Sequence, residues 1–285
     1  MSDNTDQIEF WNGPGGDRWV KHQEILDRTL EPFGRAVLEA ARPQPGEHVI
    51  DVGCGCGWSA LALADAVGPR GSVLAVDVSA PMLGLARKRA QERALSNATF
   101  AVADASAHAF EGKHDLLFSR FGVMFFADPI AAFTNLRRAL KPGGRLAFVC
   151  WGPVAENPWF RVPMAAAGTV VPLPEPTGPE EPGPFAFADR ARVQRILEGA
   201  GFGQVAIERS SPGFVLGPDV DAAATTAVDT GPVSRLLAEV DDATRARVRT
   251  AIRGAITPFL GPGGVVLPTS TWVVLGAGPR GVVRQ

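Results

Sequence analysis

From residue 48 to residue 151, short apolar runs alternate with stretches whose apolar positions recur every three or four residues. That alternation predicts successive βαβ units, and so a parallel sheet covered by helices on both faces. The predicted strands are residues 48–52, 72–76, 99–102, 116–119 and 145–151, each apolar and bounded by Gly, Asp or Ser. A helix between the last two is expected to be capped by Asp128, with Pro129 in its first turn. Ile130, Phe133, Leu136 and Leu140 share one of its faces, and Gly143-Gly144 is expected to end it. A second helix is expected to begin at Ser79, with Pro81 in its first turn. Ahead of the core, residues 17–38 read as a helix.

Beyond the core, residues 152–188 hold nine of the 24 prolines, which predicts an irregular excursion. A helix near residues 190–200, a strand near 204–209, two or three helices within 219–258 and a last strand near 269–275 are expected after it. The best marked of the late helices starts at Asp241 or Asp242 and aligns Val248, Ile252 and Ile256. The expected organisation is an N-terminal helical lid over residues 1–44 and an α/β core over 45–151. Residues 152–285 then complete the same domain with the Pro-rich excursion, a helical cap and the final strands.

Composition narrows the function classes. Twenty-eight Lys and Arg against 30 Asp and Glu give a formal net charge of −2 over 285 residues, without the basic excess that nucleic-acid or membrane-surface partners call for. No apolar run approaches the roughly 18 residues needed to span a bilayer. The start of the chain lacks a secretory pattern. Three cysteines, Cys54, Cys56 and Cys150, make no disulfide framework and point to a reducing, cytoplasmic setting. Cys54 and Cys56 lack the second ligand pair of a structural zinc site, so no metal is expected.

The passage with most chemistry runs from Val49 to Ala60. A strand leads into Gly53, Gly55 and Gly57 at alternate positions, then into a Leu- and Ala-rich segment. Such a loop lets a ligand approach the main chain at the carboxyl end of the first strand. Trp58 stands where a dinucleotide fingerprint needs its third glycine, and no Lys-Ser/Thr pair marks a P-loop. Asp77, 24 residues after Gly53, is placed to accept from both hydroxyls of an unphosphorylated ribose. The expected ligand is an adenosyl compound without pyrophosphate.

The loop from Asp51 to Gly57, the run from Asp77 through Ser79 to Met82-Leu83, the stretch Ala103-Asp104-Ala105 and the segment from Leu140 to Gly144 together resemble class I S-adenosylmethionine-dependent methyltransferases. The resemblance covers roughly residues 45–151 and lies nearest the bacterial group around the ubiquinone and menaquinone C-methyltransferases. It implies a doubly wound, Rossmann-like seven-stranded sheet with the last strand antiparallel, and S-adenosyl-L-methionine as cofactor, leaving S-adenosyl-L-homocysteine as product. By the same resemblance, Gly53, Gly55 and Gly57 line the methionine moiety and Asp51 orients its amino group through water. Asp77 holds the ribose, Val78 and Met82 border the adenine, Asp104 and Ala105 meet its edge, and Ser119 and Arg120 supply backbone groups. His114 departs from the aromatic or apolar residue more usual there.

Aromatic residues cluster near the predicted strand ends, where the transferable methyl should point. Trp11, Trp19, Phe121, Met124, Trp151 and Trp159 are the candidate lining of an apolar acceptor pocket. Methyl transfer from a sulfonium is an in-line displacement that positioning and exclusion of water can promote without a catalytic triad or metal, and no catalytic base is assigned. The expected activity is methylation of a small apolar or aromatic molecule. The rival readings are a non-catalytic cofactor-binding protein, a nucleic-acid methyltransferase and a nicotinamide-dependent dehydrogenase. Ser119-Arg-Phe-Gly122 lacks the Asn/Asp-Pro-Pro-aromatic signature of amino-adenine enzymes, and Trp58 opposes the last reading.

Overall fold

The computed structural model describes residues 4–278. Three helices come first, α1 (Thr5–Asn12), α2 (Pro14–Lys21) and α3 (Gln23–Ala41). The core follows as β1 (His48–Val52), α4 (Trp58–Val67), β2 (Ser72–Asp77), α5 (Ala80–Glu92), β3 (Ala98–Val102), β4 (His114–Arg120), α6 (Pro129–Arg138) and β5 (Leu140–Trp151). Then come α7 (Pro158–Ala167), α8 (Arg190–Gly199), β6 (Gly203–Ser210), β7 (Phe214–Gly217), α9 (Val220–Asp229), α10 (Gly231–Leu236), α11 (Asp242–Ile256), β8 (Leu260–Gly261), β9 (Gly264–Leu267) and β10 (Thr271–Ala277).

Seven strands form one sheet in the order β3-β2-β1-β4-β5-β10-β6. β1 to β5 pair in parallel, and β10 runs antiparallel between β5 and β6. A sheet covered on both faces needs apolar residues on both, and Val49, Ile50, Leu116, Leu117 and Phe118 are all fully buried. Side-chain caps start the helices where the sequence places them. Ser79 Oγ accepts from Met82 N, Asp128 Oδ1 from Ala131 N, and Asp241 Oδ1 from Thr244 N at 2.6 Å.

Four features differ from the sequence expectation. The N-terminal region is three helices, broken around Gly13 and His22, where one was expected. α6 stops at Arg138, because Leu140 pairs with His114 and draws residues 140–144 into β5. Gly143, at φ 81°, makes the bend within that strand. The proline-rich stretch contains α7, whose Pro158 occupies the first turn where no N–H is needed, although Pro163 lies inside the helix. A second sheet, β7-β9-β8, joins α7, α9, α10 and α11 around a separate apolar cluster centred on Ala223, Val248, Ile252 and Val265.

Candidate active site

The strand order of the large sheet reverses between β1 and β4, the position at which open α/β sheets hold their ligands beyond the strands' carboxyl ends. Gly53, Gly55 and Gly57 leave β1 with φ of 68°, 54° and 90°, a region that L side chains rarely adopt. A Cβ on Gly53 would stand 2.7 Å from Gly122 Cα, so the loop lies directly against the turn after β4. Around Gly55 the neighbours are different. A Cβ there would be 3.8 Å from Met82 Sδ and 3.9 Å from Trp19 Nε1, which makes a shallow cradle between α5 and α2.

Carboxylates hold this loop from below. Asp77 Oδ2 accepts from Gly55 N at 2.8 Å and Oδ1 from Ser79 N at 2.9 Å. Burial raises the Asp77 pKa, partly offset by the backbone donors of Ser79, Gly55 and Val78. Asp51 is fully buried, and its Oδ2 accepts from Ser59 Oγ at 2.6 Å. Burial pushes its pKa up to about 7, against the Ser59 hydrogen bond and the Arg120 charge and with the repulsion of Asp77.

Arg120 turns its side chain inward. Its guanidinium lies 4.8 Å over the Trp58 ring, with Nη2 3.7 Å from Asp27 Oδ1. Asp27 also accepts from Arg89 Nη2 at 2.7 Å, and Arg89 Nη1 donates to the Cys56 carbonyl at 2.6 Å. The network therefore ties α3 to α5, β4 and the glycine loop. Asp51 Oδ1 and Arg120 Nη1 are buried and have no hydrogen-bond partner among the described residues. Leaving such groups unpaired costs about 1–3 kcal/mol each, more when charged. An ammonium beside the first and a carboxylate beside the second would satisfy both, so the residues present fit the amino-acid end of the expected cofactor.

The other expected contacts carry partners from the N-terminal helices. Asp104 Oδ1 accepts from Asn4 Nδ2 and Ser106 N, each at 2.9 Å, while Asn4 Oδ1 accepts from Ala127 N. The Val78 carbonyl accepts from Asn12 Nδ2 at 2.8 Å, and Ser79 Oγ donates to the Trp11 carbonyl at 2.6 Å. Ala105 and Met82 are buried. Ser119 Oγ, fully buried, donates to Val52 O and accepts from Gly122 N, fixing the β4 turn to β1.

The six aromatic-site candidates separate. Trp11 packs edge-on against Trp19 and Phe125 above the glycine loop, both at 5.7 Å. Phe121, held at φ 62°, stacks on Trp151 at 4.4 Å and 12°. Trp151 meets Trp159 at 4.4 Å, and Trp159 stacks on Phe214 at 4.8 Å and 13°. Met124 joins neither group and is a core residue, 1% exposed. Asn157 supports the second group. Fully buried, it donates to the carbonyls of Gly152, Pro153 and Ser270 and accepts from Ser270 N and Trp159 Nε1. Sequence reasoning named none of Asp27, Arg89, Asn4, Asn157 and Phe214. Only Asn157, as the residue before Pro158 at a helix start, carried a local signal.

Residues 49–144 match the methyltransferase domain family. The chain is 33% identical to the aklanonic acid methyltransferase DauC of Streptomyces sp. (strain C5) over 184 residues, 61% of this chain and 83% of that protein. It is 30% identical to the nocamycin O-methyltransferase of Saccharothrix syringae, across 64% of this chain and 69% of that one. A ubiquinone/menaquinone biosynthesis C-methyltransferase of Shewanella frigidimarina is 32% identical over 39% of this chain and 45% of its own length. Among solved structures, the phosphoethanolamine N-methyltransferase 2 of Haemonchus contortus in complex with S-adenosyl-L-methionine superposes with a TM-score of 0.60 at 17% identity, covering 99% of this chain and 61% of that one.

Proposed function

The chain belongs to the S-adenosylmethionine-dependent methyltransferases, and from that membership we propose that it methylates a small, flat, apolar acceptor held against the aromatic wall of Phe121, Trp151 and Trp159. The observation that carries the reading is the glycine loop with the unpaired Asp51 Oδ1 and Arg120 Nη1 buried beneath it. Asp51 takes the cofactor's ammonium and Arg120 its carboxylate. Gly53, Gly55 and Gly57 line the chain between them, Asp77 keeps lone pairs for the ribose hydroxyls, and Val78 and Met82 border the adenine. Asp104, with the Ala105 backbone beside it, accepts from the adenine amino group once Asn4 yields its place, and Ser119 holds the β4 turn against β1.

When bound, the cofactor supplies a methyl group already activated on a sulfonium. The protein's share is to bring the acceptor into line and keep water out. Trp11 and Trp19 cover the loop, and an indole face near a sulfonium is electrostatically favourable. Stacked rings favour a planar acceptor, and the names of the aklanonic acid and nocamycin enzymes support a natural-product class of acceptor. Among the described residues no helix is long and apolar enough to cross a membrane, and all three cysteines are free thiols, which supports a reducing, cytoplasmic setting.

Calorimetric titration with S-adenosylhomocysteine, with NADH alongside, tests the site. Saturable binding of the first alone is expected, followed by labelled methyl transfer to planar phenols or quinones. Binding of NADH in its place would overturn the reading.

A further inference from the structure

α2 has two working faces. Trp19 and Gly16 point inward, Trp19 to the Gly55 loop and Gly16 so close to the Trp11 carbonyl and Ser79 Oγ that a Cβ would stand 2.1 and 2.8 Å from them. The opposite face, with Asp17, Arg18, Lys21 and His22, lines a cavity of about 330 Å³. Asp229, Ser234 and Arg245, from α9, α10 and α11, form its far wall. The cavity thus sits on the seam between the N-terminal helices and the helices that precede β10, away from the glycine loop.

Its charges do not balance. Arg18, Lys21 and Arg245 face only Asp17 and Asp229, and Arg235 lies near enough to Arg18 to feel its charge. Asp229 is answered by Arg245 at 3.8 Å, whereas no carboxylate among the described residues lies within ion-pair distance of Arg18 or Lys21. Arg235 stands 3.7 Å over the Phe10 ring, and desolvation, then repulsion from Arg18, hold its pKa below the usual arginine range. A cavity with surplus cations donated from two separate elements is a receptor for an oxyanion, which such donors bind with charge-assisted hydrogen bonds.

We propose that this seam is an anion site, in which a carboxylate or phosphate bridges Arg18 and Lys21 of α2 to Arg245 of α11 and so pins the N-terminal helices closed over the glycine loop. A ligand favouring the closed arrangement must slow release of whatever that arrangement covers. Neither Arg18 nor Lys21 belongs to the cofactor site, so the pair can be changed without touching it.

The direct test follows the 31P line width of inorganic phosphate with the full chain and no cofactor, beside the double variant Arg18→Gln/Lys21→Gln. Saturable broadening in the native protein and its loss in the variant are expected. In a second arm, phosphate should slow S-adenosylhomocysteine dissociation about fivefold or more in the native protein and not in the variant. Benzoate run in parallel separates the sources. A preference for benzoate assigns the site to an organic carboxylate, and a preference for phosphate assigns it to a phosphate. Unsaturable broadening, an effect retained in the variant, or equal slowing by chloride at matched ionic strength would overturn the proposal.

Discussion

Asp51 carries a proton that the cofactor should displace. Its carboxyl is pushed up to about 7 by burial, so in the free protein it is largely protonated below neutrality. An ammonium placed beside Oδ1 favours the ionised form. Affinity for S-adenosylhomocysteine should therefore rise as pH increases through about 7 and level off above it, with a proton released on binding. Asp51→Asn should flatten that profile and weaken binding by about 2 kcal/mol, the size of a hydrogen bond to a charged group. Titration in buffers of different ionisation enthalpy reads both effects, and a variant that kept the slope would exclude Asp51 as its source. The same shift sets a stability sign. A carboxyl whose folded pKa is raised costs stability as pH climbs from about 4, its unfolded value, to about 7. The stability advantage of the unliganded Asp51→Asn protein over the native one in urea unfolding should accordingly grow between pH 5 and pH 7 and level off by pH 8.

At the scale of elements, α3 is held to the site by charge as much as by packing. Phe33, Val37 and Ala41 bury its apolar face, and its amino-terminal half is tied to the glycine loop through Asp27 and the two arginines. Asp27 is 12% exposed at its side chain and Arg120 8%, so removing the carboxylate leaves a buried guanidinium short of its counter-ion. Asp27→Ala should cost about 3 kcal/mol of stability. It should also loosen cofactor binding by freeing the Arg120 fork. A loss below about 1 kcal/mol would show that Asp51 alone suffices to hold Arg120. The turn after β4 shows the same economy of placement. Phe121 tolerates a left-handed backbone because its N–H donates to Val149 O and its ring is clasped by Trp151.

At the scale of the molecule, the N-terminal helices lie across the carboxyl ends of β2 and β3 through Asn4, Trp11 and Asn12, and they occupy the Asp104 and Val78 groups that the proposed site assigns to adenine. Cofactor entry then requires α1 and α2 to move. Rapid mixing with S-adenosylhomocysteine, followed by tryptophan fluorescence, should give an observed rate that saturates with ligand concentration at the rate of opening. A rate linear in ligand up to the limit set by diffusion would show that the cleft is open in solution.

The local sequence determined what short-range physics controls. Helix caps at Ser79, Asp128 and Asp241, the apolar strands and the left-handed glycines act within a few residues of themselves, so they were legible in order and nearly in extent. The same holds for Asp51 and Asp77, whose places at strand ends follow from spacing. Where long-range pairing competes with local pattern, pairing prevails. Leu140 reads as helical and lies in β5 because His114 is there to receive it. The separation of the aromatic residues into two groups, the inward turn of Arg120, the charge surplus on the outer face of α2 and the meeting of Asn4 with Asp104 join residues up to 227 positions apart, as Arg18 and Arg245 are across the seam. Such contacts leave no periodicity in the chain. Only the tertiary structure decides them, because their energy comes from burial and charge balance that exist once the sheet, the N-terminal helices and the cap have closed on one another.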